Sequence, residues 1–358
     1  MVLPPHLPPQ TCDIKRYHQF QRLKILLVAT VFGLVAGLSG ASMMIGWIWP
    51  GFGGGDSWVV SQRLGVASRN QLEERVATEV FERVAEVYSA GEINRGVVTL
   101  PQKNYLGQAT VISSDGWLVL YLPRPVGNYR VWQVVLPGGA VYDVDKFLAD
   151  KLSGLVFLHL ISKETEAVGG NVQFKVAGLA DSLDIDSDLY VLSADTWRLT
   201  TKINDANFSE NYPHLDSVPT GRAVLDADFN VGQIVVNNQG RLAGFVTDSR
   251  LILPFQYISR LLPGVLNEQK IIYPTLGLEG WYSDEQSIAI AGQTVNGFFV
   301  SKGAGELRAG DIIVEANGLL AENDKMWYNV KADEIIKLKV LRAGKNLDLE
   351  VKILEKKF

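Results

Sequence analysis

The chain has a single cysteine, Cys12, in 358 residues. No disulfide can form within one chain, so no covalent staple holds the fold. Histidine is almost as scarce, at four, and neither a His-x-x-x-His pair nor a cysteine cluster offers metal-ligand spacing. No metal and no cofactor is expected. Charge of one sign is also lacking: 34 Lys and Arg stand against 39 Asp and Glu, for a net −5. That balance excludes the basic footprint of a nucleic-acid-binding protein. Cys12 reads as an incidental thiol in preference to a lipidation site. It lies just before the longest stretch without charge.

That stretch runs from Ile25 to Trp49, 25 residues, enough to cross a hydrocarbon core of roughly 30 Å. Lys15, Arg16, Arg22 and Lys24 precede it; Pro50, a glycine cluster and Asp56 follow it. The positive-inside bias puts residues 1–24 in the cytoplasm and everything after the span outside, as in a single-pass protein of the cytoplasmic (inner) membrane. Trp47 and Trp49 sit where an interfacial aromatic belt would lie. A cleaved signal peptide is the competing reading, but its apolar region runs about 7–15 residues and ends in small residues. This run is longer and ends in Trp-Ile-Trp-Pro, which favours an uncleaved anchor over 25–49. Gly33, Gly37 and Ala41 would share one face and permit close helix contact.

Residues 50–95 read as a linker and an amphipathic helix. Asn70 with Glu73 makes a helix start, and Leu72, Val76, Val80, Val84 and Val87 recur at helical spacing. Such a stalk either packs on its own domain or meets another subunit; fewer than three clear heptads favour the first.

From Gly96 the character changes. Short runs rich in Val, Ile, Leu and Tyr alternate with turns such as Ser114-Asp115-Gly116, Pro137-Gly138-Gly139 and Asn237-Asn238-Gln239-Gly240. Many short strands at modest spacing predict an all-β barrel or sandwich, which is where periodicity alone stops.

Particular motifs go further. Gly107-Gln-Ala-Thr-Val-Ile-Ser-Ser-Asp-Gly116-Trp-Leu-Val resembles the segment leading into the catalytic His of the HtrA/Deg-type trypsin-like serine proteases. Trp132 to Gly139 resembles the family's next hairpin, and Ser153-Gly154-Leu155-Val156-Phe157-Leu158 its Asp-bearing strand. Asn230-Val231-Gly232-Gln233-Ile234-Val235-Val236-Asn237 resembles its nucleophile turn, and Gly240 to Phe245 and Leu253 to Tyr257 its closing strands. The resemblance implies a chymotrypsin-like double β-barrel over 96–264. It also places Pro123, Gly154 and Val231 where the family keeps His, Asp and Ser, and Phe229 where a glycine helps form the oxyanion hole. A proline, a glycine and a valine cannot shuttle a proton, orient a base or attack a carbonyl.

Residues 265–358 restart the pattern. Thr275-Leu276-Gly277-Leu278 resembles the carboxylate-binding loop of the family's PDZ domains. Leu307 to Gly318, with Gly310-Asp311 and Asn317-Gly318, resembles their L-x-x-G-D-x-I-x-x-x-N-G run. The resemblance implies a PDZ fold in which Leu276, Gly277 and Leu278 hold the C-terminus of a peptide by β-augmentation. The helix forming the other groove wall is expected to be short, near Glu322–Val330. The whole is thus expected to be mainly β: transmembrane helix, helical stalk, double barrel and PDZ domain.

Three functions remain open at this stage. The first is a membrane-anchored pseudoprotease that binds polypeptides or C-terminal tails outside the cytoplasm, as chaperone, scaffold or regulator in envelope protein quality control. The second is an active serine endopeptidase with a displaced triad, needing a serine beside His159 or His214. The third is a structural envelope component. A trimer is implied by resemblance alone.

Overall fold

Segments of four to eight residues rich in β-branched side chains hide an apolar face only by pairing into sheets. The computed structural model describes residues 80–94, 97–125, 128–161, 173–193, 196–207, 209, 212–290, 292–328 and 330–357. These fall within one unit, Leu72–Phe358. The expected anchor over 25–49 lies outside the described residues. Among those described, no helix is long and apolar enough to cross a membrane.

The first barrel opens with β1 (Val84–Tyr88). A separate hairpin follows, β2 (Glu92–Asn94) with β3 (Val97–Thr99). Then come β4 (Tyr105–Val111), β5 (Trp117–Tyr121), β6 (Gln133–Val135), β7 (Val141–Ala149) and β8 (Leu155–Ile161). Six of these close in the order β1-β4-β5-β8-β7-β6. The expected helix therefore does not continue through Val84 and Val87. Val84–Tyr88 pairs with both β4 and β6 and leaves only Glu86 exposed. Valines three and four apart fit a helix, but they fit a strand equally when both edges have partners, and pairing overrides spacing. The barrel thus starts at Val84, twelve residues before the expected boundary. Val80 packs in the core with Val84, Ile112 and Trp117, so this end of the stripe serves its own domain.

The second barrel is built from β9 (Asp188–Ser193), β10 (Thr196–Asn207), β12 (Gly221–Leu225), β13 (Ile234–Asn237), β14 (Leu242–Asp248) and β15 (Leu251–Pro254), in the order β10-β12-β15-β14-β13-β9. Between β10 and β12 lies a two-residue strand, β11 (His214–Leu215), which takes no part in the barrel. Helix α1 (Phe255–Pro263) follows and buries Phe255, Tyr257, Ile258 and Leu261.

The C-terminal segment contributes β16 (Ile272–Thr275), β17 (Glu279–Tyr282), the short pair β18 (Ala289–Ile290) and β19 (Gln293–Thr294), β20 (Phe298–Lys302), β21 (Ile312–Ala316), β22 (Leu319–Leu320), β23 (Ile335–Arg342), β24 (Lys345–Lys352) and β25 (Leu354–Lys357). Its main sheet runs β11-β17-β20-β21-β23-β24, with β22 on β21, while β16 pairs with β25. Asp311, 1% exposed, ties the turn after Gly310 by accepting two bonds from Arg342 at 2.7 Å and one from the Arg308 N–H at 2.8 Å. These bonds hold its carboxyl below the usual range against the pull of burial. Asn317 and Gly318 both have positive φ, at 49° and 83°, as a two-residue hairpin turn demands. The expected short helix is a single turn, Asp324–Trp327, with Met326 and Trp327 buried.

Candidate functional site: a barrel cleft and an occupied strand edge

The chain brings together the positions expected to correspond to a triad. Leu122 N–H donates to the Gly154 carbonyl at 2.8 Å, setting Pro123 against Gly154. A Cβ on Gly154 would lie 3.2 Å from Pro123 Cα and 2.8 Å from the Tyr121 ring. A Cβ on Gly232 would lie 3.4 Å from the Tyr121 carbonyl oxygen, so the turn carrying Val231 faces the same strand end. Val231 is 53% exposed. One cleft therefore gathers Pro123, Gly154 and Val231 from two barrels, and none of the three side chains can carry a proton.

The turn itself spends its donors internally. Phe229 N–H donates to the Ser249 carbonyl at 2.6 Å, Asn230 N–H to Gln233 Oε1 at 2.8 Å, and Gly232 N–H to the Val246 carbonyl at 2.8 Å. Oxyanion stabilisation needs donors converging on open space, and the N–H at position 229 is already taken. The Phe229 side chain, 8% exposed, packs into the second barrel's core beneath the Arg198 guanidinium, 4.9 Å from the ring centre. Asp150 supplies an acid four residues before Gly154, but it points into the protein. Its carboxylate accepts from Ser153 Oγ, Tyr273 Oη and the Leu152 N–H, and burial pushes its pKa up.

Both candidate histidines are engaged elsewhere. His159 bonds Asp145 at 2.6 Å, and its ring meets that of Trp117 at a 60° tilt, centres 5.2 Å apart. In the β5–β8 register it pairs with Trp117, while Tyr121 pairs with Leu155 at the cleft end. Four residues of strand, about 13 Å, separate the two. His214 is 6% exposed. It spends Nε2 on Glu285 at 2.8 Å and Nδ1 on the Leu215 carbonyl at 3.0 Å.

The second candidate site is the Leu276–Leu278 loop, and the chain itself occupies it. Strand β11 lies antiparallel on β17, with His214 opposite Gly280 and Leu215 opposite Glu279. Asp216 N–H extends the ladder to the Leu278 carbonyl at 3.0 Å. The Asp216 carboxylate then accepts the Leu276 N–H at 2.7 Å and Thr275 Oγ1 at 2.5 Å. The Gly277 N–H donates to that same Thr275 hydroxyl at 2.8 Å. Tyr282 Oη caps the Asp216 carbonyl, and Arg260 Nη2 donates to the Ser217 carbonyl at 3.1 Å. Asp216 is 0% exposed; burial pushes its pKa up to about 6 despite these donors. The side chains of Leu276 and Leu278 are buried in the module's core. No periodic signal marks β11 in the sequence, because its two residues are too few to show alternation.

No family model matches the chain, and no curated protein matches it. Among solved structures, the chain is similar to an HtrA-type protease, AlgW, with a decapeptide. Identity is 15% and the TM-score 0.53, covering 79% of this chain and 98% of that one. The same protease with a tripeptide gives 15% and 0.50, covering 79% and 97%. The fold is the HtrA fold. Its two closed barrels are consistent with a chymotrypsin-like architecture.

Proposed function

We propose that this HtrA-like protein is a pseudoprotease: a membrane-anchored, catalytically inactive chain whose C-terminal module, a PDZ-like fold, binds polypeptides or C-terminal tails outside the cytoplasmic membrane. The observation that carries the reading is the cleft in which Pro123, Gly154 and Val231 converge while the Phe229 N–H is bonded to Ser249. General-base catalysis needs a group within hydrogen-bond reach of a nucleophile, and these positions offer neither. The displaced-triad alternative is disfavoured because both ring nitrogens of His214 are committed to other partners and His159 sits about 13 Å along its strand from the cleft end. Peptide binding is supported by the β17 edge and the Leu276–Leu278 loop, whose Leu276 N–H already holds a carboxylate. The anchor rests on the uncharged run at 25–49. A role in envelope protein quality control and a trimeric assembly follow from the resemblance.

The test is the full chain, purified in detergent, incubated with casein and a fluorophosphonate serine probe beside Val231→Ser. Neither protein cleaves or labels, because a serine at position 231 still has no base and no oxyanion donor from position 229. Cleavage with a labelled serine in the unaltered chain would sink the reading.

A further inference from the structure

The segment Tyr212–Ser217 belongs by sequence to the second barrel, yet it forms the outermost strand of the C-terminal sheet. It runs antiparallel to β17 toward the Leu276–Leu278 loop, and it ends there with a carboxylate on the Leu276 N–H. An extended peptide adding to this edge would need the same three things: the β17 ladder, the antiparallel direction and a carboxylate at the loop. We propose that Tyr212–Ser217 is a built-in ligand that closes the groove, the Asp216 side chain standing in for a peptide's terminal carboxylate, so that a C-terminal tail binds only when this segment leaves. The proposal rests on the reading of the C-terminal module as a peptide-binding fold, and adds how that site is regulated.

The physical chemistry of the segment suits a latch. Its strand is two residues long, so few ladder bonds hold it. Polar contacts do most of the holding: Asp216 with Thr275 and the Leu276 N–H, and His214 with Glu285. Beneath it, Nε and Nη1 of the buried Arg260 guanidinium have no hydrogen-bond partner, nor has Glu285 Oε1. Polar groups left unsatisfied under a short strand make its closed state less favourable than full burial would suggest. An incoming peptide supplies its own ladder bonds and carboxylate, so exchange replaces like with like. If the open state is populated at about 1%, apparent affinity is weakened about 100-fold, and opening the latch restores it.

The latch is also tied to the barrel. Thr220 N–H donates to Asp324 Oδ2 at 3.0 Å and Gly221 N–H to Tyr257 Oη at 2.9 Å. Tyr257 also donates to Asp324. These bonds, one to the module and one to the barrel's helix, fix where the segment re-enters β12, so the latch moves ahead of Thr220 while β12 stays in place.

The experiment locks and unlocks the segment in the full chain. Leu215 and Glu279 are directly opposed, one residue from the hydrogen-bonded Asp216–Leu278 pair. They are thus a non-hydrogen-bonded pair with Cα atoms about 4.5 Å apart, within disulfide reach. With Cys12→Ser to remove the other thiol, Leu215→Cys with Glu279→Cys forms a closed latch under oxidation. The probe is a fluorescein-labelled decapeptide pool with randomised last three residues and a free C-terminus, read by polarisation beside the same pool amidated. The oxidised double variant is expected to bind no probe and to recover wild-type binding in dithiothreitol, which also shows that it is folded. Asp216→Ala is expected to bind the free-acid pool at least tenfold tighter than wild type, and the amidated pool not at all. Equal binding by the wild type, the oxidised lock and Asp216→Ala would overturn the latch while leaving the groove reading intact. Absence of binding by reduced and unlocked forms alike would overturn the groove reading, and the latch with it.

Discussion

Gly154 adopts φ +80°, a left-handed conformation that an aspartate tolerates poorly, and a Cβ there would strike the Tyr121 ring. The backbone and the Tyr121 ring leave little room for a side chain at this position. Gly154→Asp is expected to lower stability by about 1–3 kcal/mol and to leave protease activity absent, even beside Pro123→His and Val231→Ser. Denaturant unfolding with a casein assay measures both; a triple variant that keeps the wild-type midpoint and cleaves casein would contradict the steric account. Phe229 tells the same story through its ring, which fills the second barrel's core where a glycine would leave space. The motifs around Pro123, Gly154, Phe229 and Val231 set a register in the sequence, and the fold brings Pro123, Gly154 and the turn carrying Val231 to one strand end. What the sequence did not reveal is the bond from the Phe229 N–H to the Ser249 carbonyl, because such bonds depend on which strands meet.

Among the elements, β11 and the residue that follows it carry two groups whose titration runs in one direction. Asp216 is pushed up to about 6 by burial, above the usual carboxylate value of about 3.9. Its contribution is full below pH ~4 and is lost as pH rises through about 6, because the packed form holds a proton that the free form releases. Burial lowers the pKa of His214, but Glu285 and the Leu215 carbonyl outweigh it and leave the pKa raised. Its contribution is also lost as pH rises, through a value above the ordinary ~6.5. The other groups facing the segment do not reverse this. Tyr282 stays neutral, its pKa raised by burial well above the usual tyrosine value, and burial raises Asp324 too. The segment is thus held more tightly at pH 5 than at pH 8. Hydrogen exchange at Asp216 and Leu276, whose N–H groups bond the Leu278 carbonyl and the Asp216 carboxylate, corrected for intrinsic rates, should show stronger protection at the lower pH, and the reverse order would refute the assignment. Elements of this size escape sequence reading: β4, β5, β8 and β14 declare themselves by runs of apolar residues, whereas β11 is a histidine and a leucine. The valine stripe misled for the opposite reason, since Val84 and Val87 satisfy a helical period and yet find strand partners in β4 and β6.

Across the whole molecule, the boundary between barrel and C-terminal module is sharp along the chain, near Gly264, but not in space. The module's sheet has its outermost strand donated from residues that precede the boundary by about fifty positions. Cutting the gene at that boundary would produce a fragment, 265–358, deprived of its donor strand. Its β17 would present bare N–H and C=O groups along one side, a template for pairing with any neighbouring chain. The fragment is expected to self-associate with rising concentration in sedimentation velocity, and a synthetic peptide of residues 209–218 added in trans should return it to the monomer. A fragment that stays monomeric without the peptide would show that the edge is covered in another way. Strand donation thus makes the barrel an intramolecular chaperone for the module that follows it, a service that needs no active serine.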